Sequence, residues 1–464
     1  MSHFDAAPPN THAGGDDDAL RPHGTLPMNL PVEGDEHIDM DAYRASVPKW
    51  KRVYQHSLTQ MLLMSVQAFC GPAMDDAIAG LGGGGLATPQ TYNIATAINY
   101  AMLALVCCFG GPIVNRLGTK WALVIGAMSF PIGGSAYYCN SKFGTQWYLI
   151  FSGFVTGIGT GCWLNQCATS LAKNHDEGVV GGITPDTYIA FLIIECMALP
   201  TAFLISPLQH VVRSDGTRIL VSEKLSTRQE TKLIKKTLTS KLILLSAFWA
   251  LWSFFYGGTW STYLGTYFSV RARALSSLIS PFLCIVGCFG LGFILDMKGV
   301  SQRRRAQIGL FVVIVLNLGV YIWSIVMQVG FNAVDPGKID WDDSLYPKAF
   351  LPYFFIQTTG PLSQSYMYWL LSSFATDAQA NVRNGAAFRC LEAIGQAISY
   401  GMNTQITTSP LIGFCVTFAL MAASVGPMIV LVNSTPDQIP ADLILEGKEK
   451  EKLEKLSVIE PSKV

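Results

Sequence analysis

The sequence predicts an all-α, polytopic membrane protein, and three observations lead to this fold class: long apolar stretches, few charges and a one-sided distribution of basic residues. Half of the 464 residues are hydrophobic and 14% are charged, whereas about 25% are charged in a typical soluble domain. A helix needs about 20 mostly apolar residues to cross the hydrocarbon core of a bilayer. Eleven stretches meet this requirement, namely 54–79, 91–113, 121–139, 147–170, 187–206, 242–264, 274–295, 307–328, 349–373, 385–405 and 410–432.

The basic residues predict the orientation of these stretches, because Lys and Arg near helix ends stay on the cytoplasmic side. Of those that flank the stretches, twenty-four fall before the first stretch, in alternate connections or after the last stretch. The opposite side receives five, which are Lys142, Arg271, Arg273, Lys338 and Lys348. Both termini are therefore expected in the cytoplasm of a multi-pass membrane protein.

The number of stretches conflicts with this orientation, since two cytoplasmic ends require an even number of crossings and eleven are counted. Six stretches follow the basic segment 209–240, but only five precede it. The segment 171–186, LAKNHDEGVVGGITPD, is too polar and too rich in glycine to cross. We expect either that one helix of the first half is absent or that one segment turns back within the membrane.

Five regions follow from these patterns. The segment 1–48 is rich in Asp, Gly, Pro and His and is expected to be a disordered cytoplasmic tail. A first transmembrane half at 49–208, a basic cytoplasmic linker at 209–240, a second transmembrane half at 241–433 and a cytoplasmic tail at 434–464 complete the chain.

A similar turn follows corresponding spans of the two halves, reading GPIVNRLGTKW in the first and GFILDMKGVSQRRR in the second. The glycine would let a neighbouring helix approach, and the Asn or Asp would cap or pair across the turn. The residues of this motif are Gly111, Asn115, Arg116, Gly118 and Lys120 in the first copy and Gly292 and Asp296 in the second. Two such clusters indicate an internal repeat. They resemble the loop motif of the major facilitator superfamily, a twelve-helix transporter fold of two six-helix halves, with Asn115 where an acid is usual.

Three further segments are similar to the fungal-type branch of the "uncoordinated ninety-three"-like proteins within that superfamily. They are GPAMDDAIAGLGGGG at 71–85, VVRSDGT at 211–217 and FYGGTWSTYLGTYFSVRARALSS at 255–277. The resemblance covers most of residues 50–435 and implies the transporter fold. It implies less about activity, because fungal relatives are called transporters on fold analogy. Animal relatives resemble accessory or trafficking proteins, one of which acts with a potassium channel.

The chain departs from this family at two places. An aromatic residue and an Asn commonly occupy the positions of Asp75 and Asp76. Most of the fifth helix is also missing between Ala168 and Lys173, in agreement with the odd number of stretches.

Several function classes lack a signature in the sequence. There is no Walker-type phosphate loop and no nucleophile motif, and GLGGGG has no preceding strand. The eleven cysteines are scattered along the spans without metal-ligand spacing. We therefore expect no enzyme, no cofactor, no metal site and no nucleic-acid partner. The expected partners are the lipid bilayer and a small-molecule substrate, with another membrane protein as the alternative.

Ionisable residues inside the spans are the main candidates for a functional site, because charges in a bilayer are costly and usually face a cavity or a partner. Asp75 and Asp76, near the end of the first span, could bind substrate or a proton or reach the interface. Glu195 is the best lone candidate for proton exchange, with interhelical pairing as the alternative. Arg389 and Glu392, three residues apart on one helix face, suit an ion pair or a transport site.

Uncharged polar residues and glycines add weaker predictions. Gln357, Gln364, Gln396 and Asn403 are expected to face the cavity side of the second half or to bond between helices. The glycines at every fourth position, which are Gly153, Gly157 and Gly161, predict close helix packing. Arg271 and Arg273 break the positive-inside pattern and suit contact with a neighbouring loop or attraction of an anion.

Together these patterns predict secondary transport of a small molecule by rocking of two halves around a midplane site. The alternative is a non-transporting accessory or trafficking subunit of another membrane protein. Buried acids favour transport, whereas the loose loop motif and the missing helix favour the accessory role.

Overall fold

The computed structural model describes residues 47–75, 89–117, 119–170, 185–206, 227–297, 299–375, 378–404 and 409–436. Several sequence predictions lie outside the described residues. They are the terminal tails up to residue 46 and beyond residue 436, Asp76, the GLGGGG stretch, Gly118 and the polar segment that replaces the fifth helix at 171–184.

Helices make up the first half. They are α1 (Lys49–Gln55), α2 (Ser57–Ala68), α3 (Pro89–Leu117), α4 (Thr119–Phe143), α5 (Gln146–Ser170) and α6 (Pro185–Leu204). A π-helical turn, Phe69–Ala73, continues α2 and contains Pro72. Proline removes a backbone donor from a helix interior, and π-turns of this kind shift the direction of the side chains that follow. Asp75 is two residues beyond this turn.

The remaining helices are α7 (Thr227–Leu238), α8 (Lys241–Ser253), α9 (Tyr256–Tyr267), α10 (Val270–Leu295), α11 (Gln302–Ala333), α12 (Tyr346–Ser372), α13 (Ala378–Met402) and α14 (Pro410–Asn433). Serine side chains cap four of them: Ser240, Ser269, Ser301 and Ser409 accept a bond from a backbone N–H of the first turn of α8, α10, α11 and α14. The described residues form no strand. Phe268 and Ile339 make an isolated parallel β-bridge.

Helices cover most of the described residues of each of the eleven predicted spans, and the all-α polytopic fold class is confirmed. The span at 242–264 is interrupted at residues 254–255, where α8 gives way to α9. Just after this break, α9 touches the backbone of α13: a Cβ on Gly258 would lie 2.6 Å from the carbonyl oxygen of Ser399.

By length and apolar composition alone, five helices in the described ranges could cross a membrane: Gln90–Phe109, Lys120–Phe143, Lys241–Tyr267, Gln302–Ala333 and Pro410–Asn433. Two shorter apolar helical segments are Leu192–Leu204 and Phe282–Leu295. The other predicted spans are shorter in the described ranges or carry more polar side chains. In α13, for example, Arg389, Glu392 and Gln396 face inward.

The first half is held together by small residues. A Cβ on Gly153 would lie 2.3 Å from the carbonyl oxygen of Ala95, and one on Gly157 would lie 2.3 Å from that of Asn99. A Cβ on Gly161 would contact Val106 at 2.6 Å. The glycine run of α5 therefore packs directly against the backbone and side chains of α3, as predicted from its spacing.

Large aromatic side chains fill the core of the second half. Trp249, Trp252 and Trp260 are almost completely buried, as are Tyr321 and Tyr366. The rings of Trp249 and Trp252 meet edge to face at 4.9 Å, and edge-to-face pairs add stability beyond burial.

Candidate functional site

Helix α3 of the first half lies along α13 of the second. Leu103, Ala104 and Cys107 of α3 share a buried cluster with Cys390 and Ala393 of α13. The two halves of the bundle therefore meet along these helices, and the candidate site adjoins this contact.

The carboxylate of Glu392 is the best-satisfied charge of this region. Glu392 on α13 is 0% exposed, and Nη1 of Arg389 lies 2.5 Å from its Oε2. Nε2 of Gln364 on α12 donates to the same oxygen at 2.8 Å, and Oγ of Ser253 at the end of α8 donates to Oε1 at 2.7 Å. The carboxylate thus receives donors from three helices of one half, and we call this set the Glu392 network.

The side chain of Arg389 lies between the Glu392 carboxylate and the first half. Its side chain is 17% exposed, and its Nε has no hydrogen-bond partner among the described residues. Tyr368 of α12 and Tyr100 of α3 are close enough to interact electrostatically with the guanidinium, as is Cys107. A guanidinium with an unused donor beside the facing half is suited to binding a polar group.

Tyrosines from both halves surround this region. The rings of Tyr100 on α3 and Tyr400 on α13 stack at 5.6 Å, and Tyr92 meets Tyr400 edge to face at 6.2 Å. Nε2 of Gln357 donates a short hydrogen bond to the hydroxyl of Tyr353 on α12. The sequence analysis missed these tyrosines, although the eight-residue spacing of Tyr92 and Tyr100 places both on one helix face.

On the predicted non-cytoplasmic side, Asn93 joins the two halves. Asn93 on α3 is fully buried, and its Nδ2 donates to the carbonyl oxygen of Asn403 at 2.5 Å and to Oγ1 of Thr262 at 3.3 Å. Asn403 also donates its own side-chain amide to Ser399 within α13. The interhelical bond therefore uses the backbone carbonyl of Asn403, whereas its side-chain amide bonds within α13.

The connection between α11 and α12 lies over the start of α10 on the same side. Oγ of Ser269 donates to Oδ1 of Asp340 at 2.7 Å, and Nζ of Lys338 donates to the carbonyl oxygen of Gly265 at 2.7 Å. Arg273 is buried beside this loop. Partial burial and then the positive charge of Arg273 lower the pKa of Lys338. Arg273 therefore lies against a neighbouring loop, whereas the side chain of Arg271 is outside the described set.

Two acids of the first half approach the glycine pair of α4. Glu195 on α6 is 0% exposed, and neither oxygen has a hydrogen bond of good geometry among the described residues. A Cβ on Gly134 would lie 1.9 Å from its Oε2, and one on Gly133 would lie 3.6 Å from Oδ1 of Asp75. Asp75 and Glu195 interact electrostatically. The Glu195 carboxyl group therefore lies directly against α4 at Gly134, and a side chain at that position would displace it.

A small cavity of about 20 Å³ lies beside Asp75, between α3, α4 and α5. Its walls include the oxygen-bearing side chains Asp75, Thr96, Asn99, Tyr137, Ser152 and Thr156. Such a volume has room for about one water-sized guest.

The loop motif is described in its second copy. Asp296 is exposed and ends α10, and a Cβ on Gly292 would meet no atom within 4 Å. Close helix approach therefore does not explain Gly292. Nη1 of Arg305 donates to the carbonyl oxygen of Leu295 at 2.7 Å, so a basic residue makes the contact across the turn expected from the acid. In the first copy, Gly111, Asn115 and Arg116 lie in the last turns of α3, and Lys120 lies in the first turn of α4. The side chains of residues 110–119 are outside the described set.

Gln396 completes the predicted set. It is buried on α13, and its Oε1 has no partner among the described residues. The described residues contain no group of three or more His, Cys, Asp and Glu side chains arranged to hold a metal ion.

Comparison with known proteins gives the following likenesses. No family model matches the chain. A notoamide biosynthesis cluster protein of Aspergillus versicolor is 29% identical over 418 residues, which cover 83% of this chain and 90% of the relative. UNC93-like protein 1 of Arabidopsis thaliana is 25% identical over 448 residues, which cover 87% and 96%.

Among solved structures, a POT family transporter in complex with 5-aminolevulinic acid is similar with a TM-score of 0.52 and 14% identity, over 80% of this chain and 96% of that one. At this identity the likeness shows the fold alone. The chain is thus a multi-pass membrane protein that is similar to UNC93-like proteins and has the helical fold of this solved transporter.

Proposed function

We propose that this protein is a secondary transporter that moves a small molecule across the membrane as its two halves give alternating access to a site between them. The observation that carries the proposal is the Glu392 network, a buried ion pair at the contact between α3 and α13. Charges inside a membrane are costly and mark substrate or ion pathways by default.

The chemistry of the site indicates the kind of substrate. Arg389 offers an unused donor at Nε, and the Glu392 carboxylate beside it keeps the local charge balanced. The stacked pair of Tyr100 and Tyr400 offers flat aromatic surface from both halves. These groups suit a small organic molecule with a planar part and a polar acceptor.

The contacts of α3 with α13 also suit alternating access. Separation of the halves on the predicted non-cytoplasmic side would break the bond from Asn93 to Asn403 and the stack of Tyr100 on Tyr400. Both are contacts between halves, so rocking would leave the Glu392 network intact within the second half.

An uptake screen with many candidate substrates at once tests this function. Liposomes containing the purified full-length chain are incubated with a mixture of cellular metabolites, and their contents are compared by mass spectrometry with those of empty liposomes. We expect at least one compound to enter with the wild type and much less with Tyr100→Ala. Asp342→Asn, in an exposed loop, is the matched control. No enrichment with correctly folded protein, in either membrane orientation, would contradict transport.

The accessory role remains the second candidate, and a different observation favours it. Phe282, Val286, Phe289 and Phe293 form an exposed stripe on α10 with spacings of 4, 3 and 4 residues. This spacing suits packing against another helix. A membrane protein that co-purifies with the wild type, but not with Val286→Ser and Phe293→Ser together, would support the accessory role if the uptake screen is negative.

A further inference from the structure

The cavity beside Asp75 differs from the Glu392 network in its balance of donors and acceptors. The hydroxyl of Ser152 donates to the carbonyl oxygen of Leu149 at 2.8 Å, and the hydroxyl of Thr156 donates to that of Ser152 at 2.8 Å. Because each hydroxyl has a single proton, neither can donate into the cavity. The oxygen of Ser152 keeps its lone pairs as acceptors, and that of Thr156 keeps one beside the bond that it accepts from Asn99.

Asn99 adds to the same imbalance. Its Nδ2 donates one of its two protons to Oγ1 of Thr156 at 2.8 Å, and its side-chain carbonyl oxygen is a further acceptor. Asp75 adds a carboxylate to the wall of the cavity. Asp75 has other interactions, and one of them is an electrostatic interaction with another acid, Glu195. The wall is therefore rich in oxygen acceptors and carries the negative charge of Asp75.

The size of the cavity and the charge of its wall limit the kind of ion or molecule that it could bind. The volume of about 20 Å³ admits about one water-sized particle. Hard cations bind carboxylate, carbonyl and hydroxyl oxygens. A divalent ion usually recruits more carboxylates than the single one in this wall. The π-helical turn Phe69–Ala73, a feature frequent at functional sites, ends two residues before Asp75.

We propose that the cavity between α3, α4 and α5 is a binding site for one dehydrated monovalent cation of the size of sodium, with Asp75, Asn99, Ser152 and Thr156 as its oxygen ligands. Sodium binding at this site does not require transport. A role of sodium as the coupling ion would require transport, and that role rests on the proposed function.

Direct binding to the purified full-length protein tests the site. Binding of radioactive sodium is measured at constant ionic strength, with choline as the inert cation and with lithium and potassium as competitors. We expect saturable binding in the wild type and in Asp342→Asn. In Asp75→Asn we expect affinity to fall by about tenfold or more, and in Ser152→Ala by about fivefold, since a charged ligand contributes more than a neutral one.

The unfolding temperature supplies the folding control. A ligand that binds the native state raises this temperature, so sodium should raise it in the wild type and leave folded Asp75→Asn unchanged. Equal sodium binding in the wild type and Asp75→Asn would overturn the proposal. The absence of sodium binding in folded wild type would also overturn the proposal. One such case is a protein whose stability responds to pH alone, which would make the cavity a proton site. Because none of these readouts involves a substrate, a positive result stands even if the uptake screen fails.

Discussion

Each half of the molecule buries one glutamate completely, and the two differ in what surrounds them. Glu392 in the second half accepts hydrogen bonds from Arg389, Gln364 and Ser253. Glu195 in the first half has no well-formed hydrogen bond among the described residues and lies against Gly134. A buried charge without a partner is unfavourable, whereas a buried pair persists only when its other bonds are satisfied. The second half thus fixes a charge in place, and the first half holds an acid with few constraints.

Side-chain packing also differs between the halves, and it is again tighter around the second-half glutamate. The second half surrounds its network with Trp249, Trp252 and Tyr366, which are fully buried. The first half packs through Gly153 and Gly157 and leaves a water-sized cavity beside Asp75. This difference agrees with the two proposals above, in which the second half presents the substrate groups and the first half accommodates a small ion.

The largest effect is expected from removing the charge of Glu392. Glu392→Gln leaves the buried Arg389 without its counter-charge, and breaking one partner of a buried ion pair costs about 3–5 kcal/mol. We expect a large fall in the unfolding temperature in detergent. The double variant Arg389→Met, Glu392→Leu removes both charges and should recover most of the loss. Equal instability of the single and double variants would show that the ion pair is not the source.

Gly153→Ala comes next, because its Cβ would lie 2.3 Å from the backbone oxygen of Ala95, which cannot rotate away. Overpacking of this kind costs about 1–3 kcal/mol. Gly319→Ala on α11 is the matched control, since no atom lies within 4 Å of its Cβ. The control should keep or slightly raise the unfolding temperature. A Gly153→Ala protein as stable as this control would show that α3 and α5 are not in tight contact.

Asn93→Ala should have a smaller effect on stability and a clear one on access. Polar contacts between membrane helices contribute about 0.6 kcal/mol on average and up to about 1.7. Loss of the bonds to Asn403 and Thr262 should let the halves separate more often on one side. Labelling of the native Cys107, buried between the halves, should then become faster, as read by mass spectrometry. Asn433→Ala, which removes a contact within the second half alone, should leave that rate unchanged.

The smallest effect is expected for Glu195→Gln. A buried carboxyl group without a partner is neutral, and glutamine has nearly the same shape. The unfolding temperature should therefore stay close to that of the wild type, in contrast to Glu392→Gln. A loss comparable to that of Glu392→Gln would mean that Glu195 is charged and paired.

The sequence was sufficient for the spans and for the Arg389–Glu392 pair, because apolar length and helical spacing are local properties. It could not reveal that Ser253 and Gln364 complete the pair, since they lie 139 and 28 residues from Glu392 along the chain. The break between α8 and α9 was missed because its flanking residues are as apolar as the helices themselves. The contact of Gly258 with α13 just after the break likewise depends on tertiary packing.

The first-half cavity shows the same limit. The position of Asp75 within a span was evident, but the donors and acceptors around it depend on how α3 meets α5. The spacing of Gly153 and Gly157 predicted that contact without predicting what lies beside it. Asp76, the other acid predicted with Asp75, lies outside the described residues.

The movement of the two halves is the central claim, and one distance tests it in the absence of any substrate. Spin labels carried by unnatural amino acids at Phe143 of α4 and Val334 after α11 would report the separation of the halves on the predicted non-cytoplasmic side. Pulsed electron paramagnetic resonance in lipid nanodiscs should show two distance populations, and Asn93→Ala should enrich the longer one. A single distance that Asn93→Ala leaves unchanged would contradict alternating access.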